Sequence, residues 1–268
     1  MNGRKPAQIT LAVLAALALP GIAACEQGTP VAQKTKAPVA STKAATAVSF
    51  ERETKAFAFT YEYPAQAAAL PRLAAMLDAE RAKALGELEA QTAEAQKEAA
   101  DNDYPFNPHM LGVGWKVTGE SPEMLAMVAE ISSYSGGAHG NTGYEALIWN
   151  KAADKRIQLA ALFTDMAMAL EPLREGYCTA LNVERREKRG EQIGEPDDMF
   201  NTCPPFAELV LVPYASSDSG FDRMMFIAAP YVAGPYVEGV YEISLPLSGA
   251  VLERIKPEYR AAFAAPAE

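Results

Sequence analysis

Histidine, cysteine and positive charge are all scarce in this chain. It has 2 histidines and 3 cysteines in 268 residues, and 24 Lys and Arg against 34 Asp and Glu give a net charge of −10. Two histidines leave little room for a zinc site built from imidazoles, so we expect neither a metal nor a cofactor. The negative balance argues against a nucleic-acid-binding protein, which neutralises phosphates with basic side chains.

Common catalytic signatures are also missing. The sequence has no Gly-x-Ser-x-Gly elbow, no His-Glu-x-x-His motif, no phosphate loop and no Gly-x-Gly-x-x-Gly opening a helix. Its 34 carboxylates are too scattered for any pair to indicate acid–base catalysis. What is present is 49% hydrophobic and 22% charged residues, the balance of a globular domain. We therefore predict a folded protein that is not an enzyme.

The N-terminus predicts export. Two basic residues precede the apolar stretch Ile9–Leu19, which is too short to span roughly 30 Å of hydrocarbon, and no later segment is long and apolar enough. We predict a signal peptide over residues 1–24. The Ile-Ala-Ala-Cys sequence ending at Cys25 resembles a bacterial lipobox, whose cysteine becomes the acylated first residue. The alternative is ordinary cleavage near Ala24, with Cys25 incidental.

Cleavage there leaves a more acidic chain on a tether. Removing two basic residues gives the mature chain 22 basic and 34 acidic side chains, a net charge of −12. Residues 25–47 are rich in Ala, Thr, Lys and Pro and predict a flexible tether of about 25 Å, with lipid as the only membrane contact. Glu26 is not the Asp that retains some lipoproteins at the inner membrane. The expected location is therefore the periplasmic face of the envelope, with the outer membrane favoured.

With Cys25 acylated, Cys178 and Cys203 remain. Two cysteines in an exported protein predict one disulfide, worth about 3 kcal/mol in the chain-entropy model. The alternative is two unpaired thiols. A redox pair is not expected because the chain has no Cys-x-x-Cys.

The pattern along the chain predicts an α+β fold with antiparallel sheets, a long N-terminal helix and a central helix. Aromatic residues two apart from Phe57 to Tyr63 predict one strand face. Residues 65–100 predict a helix whose charged face is either a solvated surface or an acidic docking surface. Residues 159–189 predict further helix, broken at Pro172. The predicted later strands are Leu111–Thr118, Met124–Tyr134, Tyr144–Trp149, Ala207–Val212, Arg223–Ala229 and Tyr236–Leu245, with a short helix over Leu247–Ile255.

Two segments differ from ordinary core strands. Residues 132–141, Ser-Ser-Tyr-Ser-Gly-Gly-Ala-His-Gly-Asn, predict either a ligand-contacting loop around His139 or a plain hairpin turn. Residues 230–239, Pro-Tyr-Val-Ala-Gly-Pro-Tyr-Val-Glu-Gly, predict either a wide turn packed by aromatics or a tyrosine platform for a sugar or a protein.

Together the two segments resemble the extracytoplasmic domain shared by the anti-sigma factor RsiV and the peptidoglycan deacetylase PdaC. The resemblance covers about residues 48–255. It implies an α+β envelope sensor or binding domain, with a PdaC-like half at 48–150 and an RsiV-like half at 151–268. In RsiV this region binds lysozyme; in PdaC it accompanies a separate catalytic domain, which this chain lacks. The ligand-binding candidates are Tyr134, Gly136, Gly137, His139, Asn141, Tyr231, Tyr236 and Glu238.

The resulting leading hypothesis is a non-enzymatic envelope lipoprotein that binds a lysozyme-like protein or a peptidoglycan fragment. Two alternatives stay open. One is a structural lipoprotein without a specific ligand, and the other is a hydrolase using His139 as general base beside Ser135. We further predict that the 135–141 loop and the segment with Tyr231 and Tyr236 lie close together.

Overall fold

The fold is built from two sheets that share one apolar layer. The computed structural model describes residues 45–190 and 199–264. The predicted signal peptide, Cys25 and most of the predicted tether lie outside the described residues. The first sheet has six strands: β1 Val48–Glu53, β2 Phe57–Tyr63, β3 His109–Glu120, β4 Met124–Tyr134, β5 Asn141–Asn150 and β6 Lys155–Ile157. The second has three: β7 Val210–Tyr214, β8 Arg223–Ala228 and β9 Tyr241–Pro246.

The strands follow chain order in both sheets, and neighbours are antiparallel with one exception. β2 and β3 are parallel. A parallel pair needs a crossover connection, and the long helix α2, Pro71–Asp101, supplies it after the short helix α1, Ala65–Ala68. The α+β class is therefore confirmed, while the first sheet is mixed rather than wholly antiparallel.

The aromatic strand predicted from period-two spacing is β2. Its four aromatic residues, Phe57, Phe59, Tyr61 and Tyr63, are all buried. They face α2, whose Leu73, Leu77 and Leu88 are buried in the same cluster. Full burial of one such side chain contributes about 1.5–3 kcal/mol, so this contact fixes α2 on one face of the first sheet.

Helix α2 begins with proline at its first turn, where the missing N–H costs nothing. Its outer face carries pairs such as Lys83–Glu87 and Lys97–Asp101, one turn apart and exposed. In the described ranges, no helix combines the length and the apolar character needed to cross a bilayer.

The central helical region is broken as predicted. Helix α3, Met166–Leu170, is followed by a 3-10 turn containing Pro172, and helix α4 runs over Arg174–Arg189. The predicted disulfide is confirmed, since Cys178 of α4 is bonded to Cys203. The short C-terminal helix is α5, Gly249–Leu252.

The second face of the first sheet is only partly covered. At one end of β4 and β5, side chains such as Met124 and Ile148 join the apolar layer beneath the second sheet and α4, which contributes Tyr177 and Leu181. Further along the same face the side chains turn polar, because successive residues two apart carry Glu130 and Ser132. This uncovered polar end adjoins the loop between β4 and β5.

Candidate functional site

Three rings from two distant segments meet at the surface. The imidazole of His139 stacks on the ring of Tyr236 with centroids 4.2 Å apart. The hydroxyl of Tyr231 lies 3.3 Å from His139 Nε2, and the rings of Tyr231 and Tyr236 are 5.7 Å apart. The predicted proximity of the two segments is thus confirmed. We call these three side chains the aromatic cluster.

The β4–β5 loop presents His139 in a defined orientation. Gly136 and Gly137 have φ values of +93° and +98°, which residues with a Cβ resist, and the hydroxyl of Tyr134 donates to the Gly137 carbonyl. His139 Nδ1 lies 2.7 Å from the carbonyl oxygen of Gly140, so Nδ1 carries the proton. In the neutral ring Nε2 is then an acceptor, and the Tyr231 hydroxyl donates to it.

The second segment holds Tyr231 in an uncommon backbone conformation. Tyr231 has φ +74°, in the left-handed region, which costs a non-glycine residue roughly 1–2 kcal/mol. Its N–H donates to the Gly234 carbonyl and closes a turn. The predicted strand Tyr236–Leu245 starts later than expected. Tyr236 lies in the 3-10 turn Tyr236–Glu238, and β9 begins only at Tyr241. Strain of this kind persists only where the surroundings enforce it, and it is frequent at binding sites.

Glu238 stabilises this turn through hydrogen bonds from Arg189 and Tyr241. Arg189 Nε donates to Glu238 Oε1 at 2.8 Å and Nη2 donates to Oε2 at 3.1 Å, while the Tyr241 hydroxyl donates to Oε2. Burial alone raises the pKa of Glu238, but the hydrogen bonds from Arg189 and Tyr241 outweigh it and lower that pKa below its ordinary value. Its side chain is 10% exposed. Among the candidates, Glu238 is therefore a positioning residue.

A buried arginine ties the same segment to α4. Arg185 is fully buried, and its Nε donates to the Ala233 carbonyl at 2.9 Å. Its two terminal nitrogens donate to the carbonyls of Asn201 and Thr202. Three backbone acceptors thus compensate for the burial of the guanidinium. The arrangement fixes the 231–239 segment and the chain next to Cys203 on one helix.

A shallow polar groove lies on the uncovered face of the first sheet. It has a volume of about 160 Å³ and is lined by Thr60, Glu62, Gly112, Val113, Gly114, Lys116, Glu130 and Ser132. A Cβ on Gly112 would lie 2.7 Å from Ser132 Oγ, whereas one on Gly114 would meet nothing within 4 Å. Alternating glycines thus leave the floor of the groove open, with hydroxyls and charges around it.

Tyr144 of β5 lies beside the groove residue Glu130 and within electrostatic range of Glu242 in the second sheet. It pairs with Glu130 across β4 and β5. Burial, together with the carboxylates of Glu130 and Glu242, raises the pKa of Tyr144 to about 12. Glu242 belongs to β9, which follows the 231–239 segment. The groove lies on strands that lead toward the loop with His139, because its lining residue Ser132 is in β4, which ends at Tyr134. Asn141, exposed at the start of β5, borders the same loop.

The predicted pairing of His139 with Ser135 is not formed. Both ring nitrogens contact other groups, the Gly140 carbonyl and the Tyr231 hydroxyl. Within the described ranges, no hydrogen bond joins Ser135 to His139.

Two parts of the site were not predicted. The ion pair between Arg189 and Glu238 joins residues 49 positions apart, and no local sequence pattern predicts such a pair. The groove could have been predicted from the sequence. Leu-Gly-Val-Gly-Trp at 111–115 puts glycine on one face of a strand and large side chains on the other, which indicates an open surface on the glycine face.

The comparisons with known proteins agree with the resemblance over its first half. A family model described as deacetylase PdaC matches residues 50–142. Residues 50–142 carry a PdaC-like domain. This PdaC-like segment contains β1 from Phe50 through β4 and the loop with His139, while Tyr231 and Tyr236 lie beyond it.

Two solved structures of DUF3298 family proteins are similar to the chain. One, from Bacteroides fragilis NCTC 9343, is 16% identical with a TM-score of 0.46, over 79% of this chain and 93% of that chain. The other, from Pseudomonas aeruginosa PAO1, is 14% identical with a TM-score of 0.45, over 83% of this chain and 98% of that chain. A comparison with curated proteins gave no match.

Proposed function

We propose that this protein is a non-enzymatic, lipid-anchored binding protein of the cell envelope whose ligand is a peptidoglycan glycan fragment. The ligand lies on the aromatic cluster and extends into the polar groove. The single observation that carries the proposal is the meeting of His139, Tyr231 and Tyr236, from segments 92 residues apart, on an exposed surface.

The chemistry of the cluster suits a sugar. A sugar ring has an apolar C–H face and a rim of hydroxyls, and aromatic side chains with a polar end match both. Tyr231 is 51% exposed, so its ring is open to a ligand. The ring orientations are fixed by Gly136, Gly137 and the Glu238 ion pair, which lowers the entropy cost of binding.

The groove supplies the polar contacts. Thr60 and Ser132 offer hydroxyls, and Lys116 and Glu130 lie at its edge with charged atoms 3.9 Å apart. A few placed polar groups around an open floor are what fixes the orientation of a bound glycan. The resemblance to the peptidoglycan deacetylase PdaC, whose family model matches residues 50–142, supports a peptidoglycan ligand.

The test is binding to purified peptidoglycan by the exported protein. Sedimentation with insoluble peptidoglycan, followed by calorimetric titration with soluble glycan fragments, compares Tyr236→Ala and His139→Ala with the parent. Each change removes a stacking partner and should cost about 1–3 kcal/mol of binding free energy. Melting temperatures are measured on the same samples.

The matched control is Tyr214→Ala. Tyr214 is also half-buried, but it lies near Thr118, roughly 26 Å along β3 from the loop end of the sheet. It should leave binding unchanged. Tyr236→Ala protein that melts far lower yet binds normally in its folded fraction would make the cluster a purely structural device.

A cationic, lysozyme-like protein is the second candidate ligand. Two observations favour it. The predicted mature chain has a net charge of −12, and an apolar side chain beside Tyr236, Val237, is 90% exposed. Acidic proteins gain encounter rate with basic partners, and that gain falls steeply with salt. A pull-down with lysozyme in a salt series separates the two candidates, because stacking on a neutral sugar is far less salt-dependent.

A further inference from the structure

A second, apolar cavity lies away from the aromatic cluster. It has a volume of about 780 Å³, between β5, α3, the start of α4 and the chain that leads into β7. Its walls are mostly aliphatic or aromatic, including Ile148, Leu159, Leu170, Phe206 and Leu211. Ile148 is seven residues along β5 from Asn141, roughly 24 Å, so the two sites are separate.

The size and lining of this cavity suit a small apolar ligand. Ligand pockets are generally about 300–1,000 Å³ and mostly apolar, with a few polar groups that fix orientation. Met166 of α3 lines the cavity and is 36% exposed. Methionine is flexible and polarisable, and it adapts to apolar ligands of varied shape.

One cation lies at the edge of the cavity. Arg174 lines it and places its guanidinium over the ring of Phe206, 5.4 Å from the centroid. Its two terminal nitrogens donate to the carbonyls of Cys203 and Pro204. A guanidinium has five N–H donors, so further donors remain for an anion.

In the described part of the chain, Arg174 forms no ion pair with a carboxylate. Among the described residues, no Asp or Glu oxygen lies within 4.0 Å of its guanidinium, although Glu171 contributes to the same lining. Carboxylates bind guanidinium groups in a two-point geometry that matches the planar fork. The edge of the cavity is thus complementary to an anionic head group beside an apolar chain.

We propose that this cavity binds a single-chain amphiphile with an anionic head, of the long-chain fatty acid class. The hydrocarbon chain lies among Ile148, Leu170 and Leu211, and the carboxylate contacts Arg174. This site is independent of the glycan site, so either can fail without the other.

The test is a titration of the full chain carrying Cys25→Ala, purified without detergent, with a fluorescent polyene fatty acid. One saturable site per protein is expected. The matching fatty alcohol should bind about tenfold more weakly, because it lacks the charge-assisted hydrogen bonds. Arg174→Met should abolish that difference between acid and alcohol.

A second variant tests the cavity itself. Ala167 of α3 is exposed and lines the open cavity, so Ala167→Phe should fill it and block both ligands. Ala250→Phe, on an exposed position of α5 outside the lining, should bind like the parent. Equal affinity for acid and alcohol in the parent overturns the role of Arg174. Normal binding by Ala167→Phe, or no saturable binding at all, overturns the site.

Discussion

Arg189 contacts both carboxylate oxygens of Glu238, and these two residues connect helix α4 to the turn that presents Tyr236. Glu238 lies in the same 3-10 turn as Tyr236 of the aromatic cluster. Because Glu238 is only 10% exposed, its charge is stabilised by Arg189 and the Tyr241 hydroxyl more than by water. Stability and ligand binding should therefore depend together on this one contact.

Glu238→Gln keeps the shape of the side chain and removes its charge. We expect the free energy of unfolding to fall by about 1–3 kcal/mol at pH 7. The pKa of Glu238 is lowered in the folded protein, so its stabilisation is present above the unfolded value, about 4.3, and is lost as pH falls through the folded pKa. Urea unfolding at pH 7 and pH 3 should show the gap to the parent shrinking at the lower pH.

The control for this change is Glu242→Gln, since Glu242 is exposed on β9. It should alter unfolding by no more than about 0.5 kcal/mol at either pH. A Glu238→Gln gap of equal size at pH 7 and pH 3 would contradict the charge-based explanation.

The fold could be predicted from the sequence where one periodicity dominated. The spacing of Phe57, Phe59, Tyr61 and Tyr63 identified β2, and the Ala-, Leu- and Glu-rich run over residues 65–100 identified α2, although the structure interrupts that helix before Pro71 and makes residues 65–68 a separate helix. The parallel pairing of β2 and β3 could not be predicted in this way. Side-chain alternation fixes which face is buried, but it is the same for parallel and antiparallel neighbours.

The site was predictable in its surface parts only. Glycines and tyrosines mark exposed turns in the sequence, and those segments do meet, at His139 and Tyr236. The residues that hold them, Arg185 and Arg189, read as ordinary members of a charged helix run. Which charge is buried depends on what packs over the helix, and this information is not local.

The Cys178–Cys203 disulfide should contribute to stability without being the only link between its two segments. The double variant Cys178→Ser/Cys203→Ser should lower the free energy of unfolding by about 3 kcal/mol in denaturant titrations. It should still fold, because Arg174 and Arg185 bind the carbonyls of residues 201–204. Cys25→Ala serves as the matched cysteine control. A double variant as stable as that control would mean that the bond adds nothing.

Gly114 tests whether the polar groove takes part in binding. A Cβ there meets no atom within 4 Å, so Gly114→Ala should fold well and gain up to about 1 kcal/mol from lower backbone entropy in the unfolded chain. The added methyl group reduces the open floor of the groove, so affinity for glycan fragments should fall. Unchanged affinity in calorimetry would limit the ligand to the aromatic cluster. Gly86→Ala, an open position on α2, is the control.

The predicted anchor is tested at Cys25. If acylation of this cysteine holds the protein to the membrane, Cys25→Ala should move it to the soluble periplasmic fraction after cell fractionation. Mass spectrometry of the parent should show the lipid on the N-terminal cysteine of the mature chain. A Cys25→Ala protein that still pellets with membranes and resists a salt wash would rule out lipid as the anchor.

Tyr231 separates backbone strain from ligand contact. Tyr231→Ala and Tyr231→Gly both remove the ring that donates to His139, so both should lose glycan affinity to the same extent. They differ in the backbone, because φ is +74° at this position and only glycine adopts that region freely. We expect the glycine variant to be more stable than the alanine variant by about 0.5–1 kcal/mol, after the greater entropy of unfolded glycine offsets part of the relieved strain. Thermal unfolding of the two, beside calorimetric titration, measures both quantities. A glycine variant less stable than the alanine variant would show that the left-handed backbone at Tyr231 stores no strain for the site to use.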